Sequence, residues 1–200
     1  MSNEKRMIGD YEILVSFRIG KNEIVLAEKS DAVQYERFLC GYVENNGVFE
    51  RVIECSISDS YEDAATLFGE RIAEKAEEAQ IEFEREKEIV GDNREMKASE
   101  CEPITENDLL KGRVVVARGD ALHTEYRRAA HQMYLCVGGF GAQPNARGRS
   151  CFCRSLYDGH EATFQRQDIL GVFPAEKLPE WAANGLKKAR AKEKRDRGSR

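Results

Sequence analysis

Arg147 and Arg149 lie on either side of a glycine, at the end of the glycine-rich run VGGFGAQPNARGRS. A guanidinium group presents a planar fork of N–H donors, which holds a phosphate or a carboxylate with two hydrogen bonds. Arg166 follows on a predicted strand, and a hairpin arrangement would bring it to the same face. The three arginines form the predicted partner-binding site, and a surface ion pair with Asp168 or Glu161 is the alternative for Arg166.

The glycine-rich run itself has two interpretations. Successive backbone N–H groups at the start of a helix can cradle a phosphate, but this run leads into RSCFCRSLY, whose composition is typical of a strand. The run also lacks Gly-Lys-Ser/Thr and G-x-G-x-x-G. We therefore predict a connection between two strands that requires positive φ at several sites.

Two of the six cysteines, Cys151 and Cys153, point to the same face of the predicted strand. With Cys136, His131 or His160 they offer zinc ligands, but structural zinc sites use Cys-x₂₋₄-Cys spacing, which this pair does not fit. No thiol is marked as activated, and no pair of carboxylates stands out among the many acidic residues. The sequence therefore predicts buried thiols, no metal, no cofactor and no catalytic residue, and it leans away from an enzyme.

The net charge of −5 conceals two oppositely charged parts of the chain. Residues 1–108 contain 27 acidic and 13 basic residues, whereas residues 109–200 contain 9 acidic and 18 basic residues. Such an asymmetry is typical of two modules, or of an acidic body with a basic end that faces nucleic acid. Since the C-terminal residues are the most basic, Lys187, Lys188 and Arg190 join the predicted partner-binding residues.

A second charged surface is expected on a predicted long helix. Residues 54–108 contain 18 acidic and 6 basic residues, and a surface of this kind can imitate a phosphate backbone. The alternative is an ordinary solvated helix face, because basic residues lie three or four positions from several of the carboxylates. The alternative acidic partner surface consists of Glu74, Glu77, Glu78 and Glu82.

The elements that position these residues begin with two predicted hairpins. The alternation in YEILVSFRIGKNEIVLAE predicts the first, and a second within residues 35–57 turns at Asn46 and Gly47. From Ser60 the period becomes that of an amphipathic helix, which Gly91 is expected to end. The N-terminal module is therefore predicted to be an antiparallel sheet of four strands covered by one long helix.

Short strands and glycine-rich turns predict a small β-rich C-terminal module, a curled sheet or barrel. Its strands are expected in GRVVVA, QMYLCV, RSCFCRSLY and ATFQRQDILGVF, and LPEWAANGLKKARAKEK forms a closing helix. The fold class is thus α+β. The predicted boundaries are residues 1–90 for the acidic module, 91–108 for a polar linker open to proteolysis, 109–185 for the β-rich module and 186–200 for a poorly ordered basic tail.

The run from QMYLCVGG to LPEWA resembles a module of accessory proteins from conjugative and integrative mobile elements of Firmicutes. Two N-terminal runs, YEILVSFRIGKNEIVLAE and SDSYEDAATLFGERIAEKAE, are similar to the front half of proteins from the same elements. Resemblance therefore covers most of the chain. Its C-terminal motifs are Gly-Gly-Phe-Gly at 138–141, Asn-Ala-x-Gly-Arg at 145–149, Phe-x-Arg-x-Asp at 164–168, Gly171 and Leu-Pro-x-Trp at 178–181.

Several small proteins of this genetic neighbourhood act against host defence, and some resemble type II-A anti-CRISPR proteins, which inhibit Cas9. The resemblance thus implies an inhibitor that is encoded by a mobile element and binds Cas9 or its guide RNA in the bacterial cytoplasm. A nucleic-acid-binding accessory protein of conjugation or replication is the alternative, and an enzyme that trims guide RNA is the third hypothesis. No apolar run approaches the roughly 20 residues of a membrane span, and the sequence leaves the oligomeric state open.

Overall fold

The sequence folds into a first run of strands, a long helix, a second run of strands and a C-terminal helix, which confirms the predicted α+β class. Contacts within the chain divide it into two units, residues 1–83 and residues 84–200. A computed structural model describes residues 5–20, 22–31, 36–45 and 50–198.

The first unit contains an antiparallel sheet in which the strands follow chain order. The predicted hairpins correspond to β2 through β5, and the two-residue strand β1 was missed because it is too short to show an alternation. The predicted turn at Asn46 and Gly47 lies outside the described residues. The strands are β1 Met7–Ile8, β2 Tyr11–Ile19, β3 Asn22–Glu28, β4 Phe38–Asn45 and β5 Glu50–Ser58.

Helix α1, Tyr61–Val90, covers one face of this sheet. The hydroxyl of Ser60 accepts a hydrogen bond from the N–H of Asp63 at 3.1 Å and so caps the helix. Gly91, at φ +75°, follows the last residue. These observations confirm the predicted helix and its ends. Its apolar stripe packs Ala64, Leu67, Phe68 and Ile72 against residues such as Ile24, Leu26, Cys40 and Tyr42.

The second unit contains a curled antiparallel sheet in the order β10-β6-β7-β8-β9. Its strands are β6 Val114–Ala117, β7 Met133–Gly138, β8 Ser150–Ser155, β9 Glu161–Gln165 and β10 Ile169–Val172. The single strand predicted in ATFQRQDILGVF is wrong, because a 3₁₀ turn at Arg166–Asp168 interrupts it. This short turn carries the chain from the β9 edge to the β10 edge, so the sheet must curl strongly.

Residues 91–108 were predicted to be a linker between modules, but they belong to the second unit. The side-chain oxygen of Asn93 accepts a hydrogen bond from the N–H of Ala130, and the N–H of Met96 donates to Gln132 Oε1. Glu102 forms a β-bridge with Val172. The segment is polar and mostly exposed, which imitates the composition of a linker, but Asn93 and backbone groups hold it on the second unit. Its susceptibility to protease stays a prediction.

Helix α3, Glu180–Gly198, packs its apolar side on the second sheet. Ala182, Leu186 and Ala189 form one buried cluster with Met133 and Leu135. The predicted loss of apolar contacts after Leu186 is wrong, since Ala189 is buried and the helix continues to Gly198. The basic segment is therefore the exposed side of an ordered helix over most of its length.

Candidate functional site: an arginine-lined cleft

A cleft of about 740 Å³ in the second unit collects the three arginines predicted to bind a partner. Three segments form its walls: residues 103–106, the loop between β7 and β8, and the residues from the 3₁₀ turn to Leu170. We call this the arginine cleft. Its charged lining residues are Arg147, Arg149, Arg166 and Glu106, so the cleft carries an excess of positive charge.

The loop between β7 and β8 needs its glycines where the chain passes close to itself. A Cβ on Gly139 would lie 2.3 Å from the carbonyl oxygen of Ser150, and one on Gly141 would lie 2.1 Å from that of Arg149. Gly139 also has φ +100°. The loop is thus a strand-to-strand connection, as predicted; it contains a 3₁₀ turn at Phe140–Ala142 and leads into strand β8.

Asn145 fixes the far end of the same loop. It has φ +51°, which non-glycine residues seldom adopt, and its N–H donates to the carbonyl oxygen of Glu106 at 2.8 Å. This hydrogen bond joins the loop to the 103–106 wall. The two walls are therefore held together immediately before Arg147.

Arg166 holds the walls of the cleft together from the inside. Its guanidinium donates to the carbonyl oxygens of Gly141, Thr105 and Asp108, the last two at 2.6 and 2.8 Å. Asp108 in turn accepts hydrogen bonds from the N–H and the hydroxyl of Thr105, which lower the pKa of Asp108. The expected alternative, an ion pair with Asp168 or Glu161, is not how Arg166 is held. The Nη1 and Nη2 groups of Arg166 instead donate to backbone carbonyl oxygens.

Arg147 and Arg149 are both exposed at the cleft. Arg149 makes a long contact of 3.5 Å with Gln167 Oε1. Arg147 forms no hydrogen bond or ion pair with any residue that the structure describes. Most N–H donors of these two side chains are therefore available to a ligand, in contrast to those of Arg166.

An exposed aromatic ring lies against Gly148, the residue between the two exposed arginines, and is not itself one of the residues that line the cleft. The side chain of Phe140 is 78% exposed, and a Cβ built on Gly148 would lie 2.7 Å from the Cβ of Phe140. Phe140 therefore contacts the backbone at the residue between Arg147 and Arg149. In the sequence, Phe140 stands out only as part of a motif, because nothing in its spacing shows that the ring is exposed.

The basic residues of α3 do not join the cleft. Lys187, Lys188 and Arg190 are exposed, and none of them lines the arginine cleft. Arg190 Nη2 contacts the carbonyl oxygen of Gly112 at 3.5 Å, and Lys188 lines a second cleft of about 610 Å³ beside Trp181. The predicted basic residues thus form two separate groups within the second unit.

The alternative acidic residues lie on an exposed side of α1 in the first unit. Glu74, Glu77, Glu78 and Glu82 are exposed and form the surface that we call the acidic face of α1. Lys75 Nζ lies 2.8 Å from Glu78 Oε2 and 5.5 Å from the centre of the Tyr42 ring. A cation within the face therefore neutralises part of its charge.

Cys136, Cys151 and Cys153 are buried in one cluster of the second sheet. The contact with the Cys136 thiol, together with burial, raises the pKa of Cys151 far above its usual range. No group of three or more His, Cys, Asp or Glu side chains in the described part of the chain has the geometry to hold a metal ion. A thiol with a raised pKa is a poor nucleophile, so this cluster contributes packing.

A buried carboxylate escaped the sequence analysis. Glu86, near the end of α1, is fully buried and accepts hydrogen bonds from Arg128, His131 and Asn93. Burial raises the pKa of Glu86, but the hydrogen bonds from His131 and Arg128 outweigh it and lower the pKa to about 2. Glu86 is one of many glutamates on an acidic helix, and no sequence signal distinguishes it.

Comparison of the chain with protein families, curated proteins and solved structures finds no match. None of the described helices is long and apolar enough to cross a membrane. The resemblance to mobile-element proteins therefore rests on the sequence motifs alone, and the geometry of the arginine cleft is the independent evidence for what this cleft binds.

Proposed function

We propose that the protein is a non-enzymatic binding protein whose arginine cleft takes the phosphate backbone of a nucleic acid. This proposal rests on one observation: the three arginines of the cleft have different structural roles. Arg166 fixes the walls by donating to three carbonyl oxygens, while Arg147 and Arg149 keep exposed guanidinium forks in the same cleft. Guanidinium forks bind phosphate oxygens bidentately.

The exposed ring of Phe140 favours a single-stranded nucleic acid over an acidic peptide. Proteins that bind single strands combine a positive groove for the backbone with aromatic rings on which bases stack. Phe140 is exposed and contacts the backbone between the two arginines, so a base can stack while its phosphates meet Arg147 and Arg149. An acidic peptide makes no comparable use of the ring.

The motif resemblance supplies the specific partner in this proposal. It implies an inhibitor of type II-A Cas9, and the guide RNA is the partner of Cas9 that offers unpaired bases and phosphates together. The protein then inhibits Cas9 by occupying the guide RNA in the bacterial cytoplasm. This step comes from the resemblance, and the cleft geometry supports only the class of ligand.

A Cas9 cleavage assay tests the specific proposal. The wild-type protein, titrated against Cas9 and guide RNA, is expected to reduce DNA cleavage, and Arg147→Glu with Arg149→Glu is expected to abolish the reduction. Lys111→Glu with Lys177→Glu is the matched control, because both lysines are exposed, lie outside the cleft and change the net charge equally. Inhibition that survives the arginine variant but not the lysine variant would overturn the proposal.

Stacking by Phe140 is tested with labelled guide RNA and no Cas9. We expect Phe140→Ala to weaken binding by about 1–3 kcal/mol, the usual contribution of one base stacked on an aromatic ring. Phe152→Ala is the control, since Phe152 is also exposed but is not the ring that lies against Gly148. Equal effects of the two substitutions would remove Phe140 from the site.

The exposed basic residues of α3 favour a second function, a nucleic-acid-binding accessory protein of conjugation or replication. Lys187, Lys188 and Arg190 supply positive charge without a shaped cleft, which is typical of non-specific phosphate contacts. A mobility-shift assay with duplex DNA at two salt concentrations tests it. Salt-sensitive binding that is lost on substitution of the three α3 residues, and not of Arg147 and Arg149, would favour this function.

A further inference from the structure

Among the residues that the structure describes, strand β2 has no strand partner along most of one edge. Along one edge it pairs with β3 from Glu12 to Ile19. Along the other edge it pairs with the two-residue strand β1 at Tyr11 and Glu12, and the N–H of Ile13 donates to the carbonyl oxygen of Arg6. From Leu14 to Ile19, no described strand lies against this second edge.

The free stretch exposes large apolar side chains. Leu14, Val15 and Phe17 are 44%, 43% and 47% exposed. Val15 and Phe17 are the register partners of Leu26 and Ile24, which α1 buries on its side of the sheet. The apolar face of the sheet thus extends past the helix onto β2, where no described element covers it.

Free strand edges are normally protected by charge, proline or a covering element, because they pair with other strands. The sequence LVSFRI at residues 14–19 contains no proline, and its one charged residue is Arg18. Arg18 already pairs with Glu23, at 2.8 Å. Within the described part of the chain the edge therefore lacks the usual protection, although a β-bulge between Ile13 and Val15 limits it at one end.

The backbone register shows which N–H and C=O groups of β2 face this edge. The N–H of Lys29, directly after β3, donates to the carbonyl oxygen of Arg37 on the β4 side. Because backbone groups alternate in direction along a strand, every second residue of β3 directs its N–H and C=O groups to β4, and the residues between them direct theirs to β2. By the same alternation, the N–H and C=O groups of Ser16 and Arg18 point away from β3. They are the groups that another strand would meet.

We propose that the protein forms a homodimer through antiparallel pairing of two copies of β2. A two-fold axis at Ser16 places the Val15 of each copy opposite the Phe17 of the other copy. The apolar faces of the two sheets then join into one continuous face. The two Arg18 side chains then lie at opposite ends of the paired strands, each with its own Glu23, so no like charges meet. This self-complementarity favours a second copy over an unrelated strand, and it goes beyond the proposed RNA binding.

Sedimentation velocity of the full chain over a range of concentrations up to high micromolar tests the dimer. The wild-type protein is expected to reach the mass of two chains. Ser16→Pro removes an outward N–H and Phe17→Lys places charges in the apolar contact, so both variants are expected to stay monomeric. Ser16→Ala keeps the N–H, and Ile81→Lys alters an exposed apolar residue of α1. Both controls are expected to dimerise as the wild type does.

Circular dichroism of each variant shows that the fold is retained, and Phe17→Lys decides the question if Ser16→Pro does not fold. A wild-type protein that stays monomeric at every concentration would overturn the proposal, even if it captures a strand from another protein. Dimers that persist in both edge variants would also overturn it, as would open-ended assembly beyond two chains.

Discussion

The arginine cleft and the acidic face of α1 both carry a high density of charge of one sign, but they differ in how the charges are held. In the cleft, backbone close approaches and the three hydrogen bonds of Arg166 build a concave site around two exposed arginines. On α1, exposed carboxylates stand along one side of a helix, and Glu78 already pairs with Lys75. Ligand sites are generally concave, so we expect the cleft to be the better binding site.

The two surfaces cannot be distinguished by their charge alone. The numbers of acidic and basic residues in each part of the sequence are compatible with partner binding at either surface, since they contain no information on shape. Shape comes from glycines and from carbonyl oxygens that converge on one guanidinium. We therefore expect substitutions that alter structure around the cleft to have large effects, and substitutions on the acidic face of α1 to have small ones.

The largest expected effect concerns Glu86, the one carboxylate of α1 that is buried. Glu86→Gln removes the buried negative charge that accepts hydrogen bonds from Arg128 and His131, and breaking such a buried pair costs about 3–5 kcal/mol. Glu82→Gln, on the acidic face, is the control and is expected to change the free energy of unfolding by less than about 0.5 kcal/mol. Urea denaturation of the full chain near neutral pH measures both changes.

The pH dependence of the same variant identifies its cause. Because the folded-state pKa of Glu86 is lowered from 4.5 to about 2, its contribution is complete above pH 4.5 and is lost as the pH falls towards 2. The difference between wild type and Glu86→Gln should shrink across that window. A difference that stays constant would mean that packing, and not charge, accounts for the loss.

A smaller effect is expected at Gly141, where the cleft needs a close backbone approach. Gly141→Ala places a Cβ against the carbonyl oxygen of Arg149, and strain of this kind costs about 1–3 kcal/mol. Gly138→Ala is the matched control, since a Cβ there meets no atom within 4 Å and its φ is not positive. Thermal denaturation measures the two, and guide RNA affinity is expected to fall only for Gly141→Ala.

The smallest effect is expected on the acidic face of α1. Glu77→Lys with Glu82→Lys should leave stability within about 0.5 kcal/mol of wild type, and any gain in RNA affinity should disappear at high salt. Inhibition of Cas9 that is lost in this variant, with RNA binding intact, would reverse the comparison and make the acidic face the functional surface.

The sequence predicts elements whose signals are local. The hairpin of β2 and β3, the Ser60 cap and the Gly91 stop of α1 all follow from residues close together in the chain. What it misses depends on distant contacts. Residues 91–108 are held on the second unit by contacts such as that of Asn93 with Ala130, and Ala189 is buried by strands that a helical pattern cannot reveal.

The individual side chains of the cleft could likewise be predicted only in part from the sequence. Motif spacing brought Arg147, Arg149 and Arg166 together as candidates, and all three line one cleft. Spacing could not assign them different roles, because the acceptors of Arg166 include carbonyl oxygens some 60 residues earlier in the chain, at Thr105 and Asp108. It also gave no sign that Phe140 is exposed beside them.

The most direct test of the central claim is the salt dependence of guide RNA binding, measured by fluorescence anisotropy without Cas9. Each phosphate contact adds about 0.7 to the slope of log affinity against log salt concentration for a single strand. Arg147→Gln with Arg149→Gln is therefore expected to weaken binding and reduce the slope by about 1.4, whereas Lys111→Gln with Lys177→Gln leaves both unchanged. Equal affinity and equal slope for the arginine variant and the wild type would contradict the account.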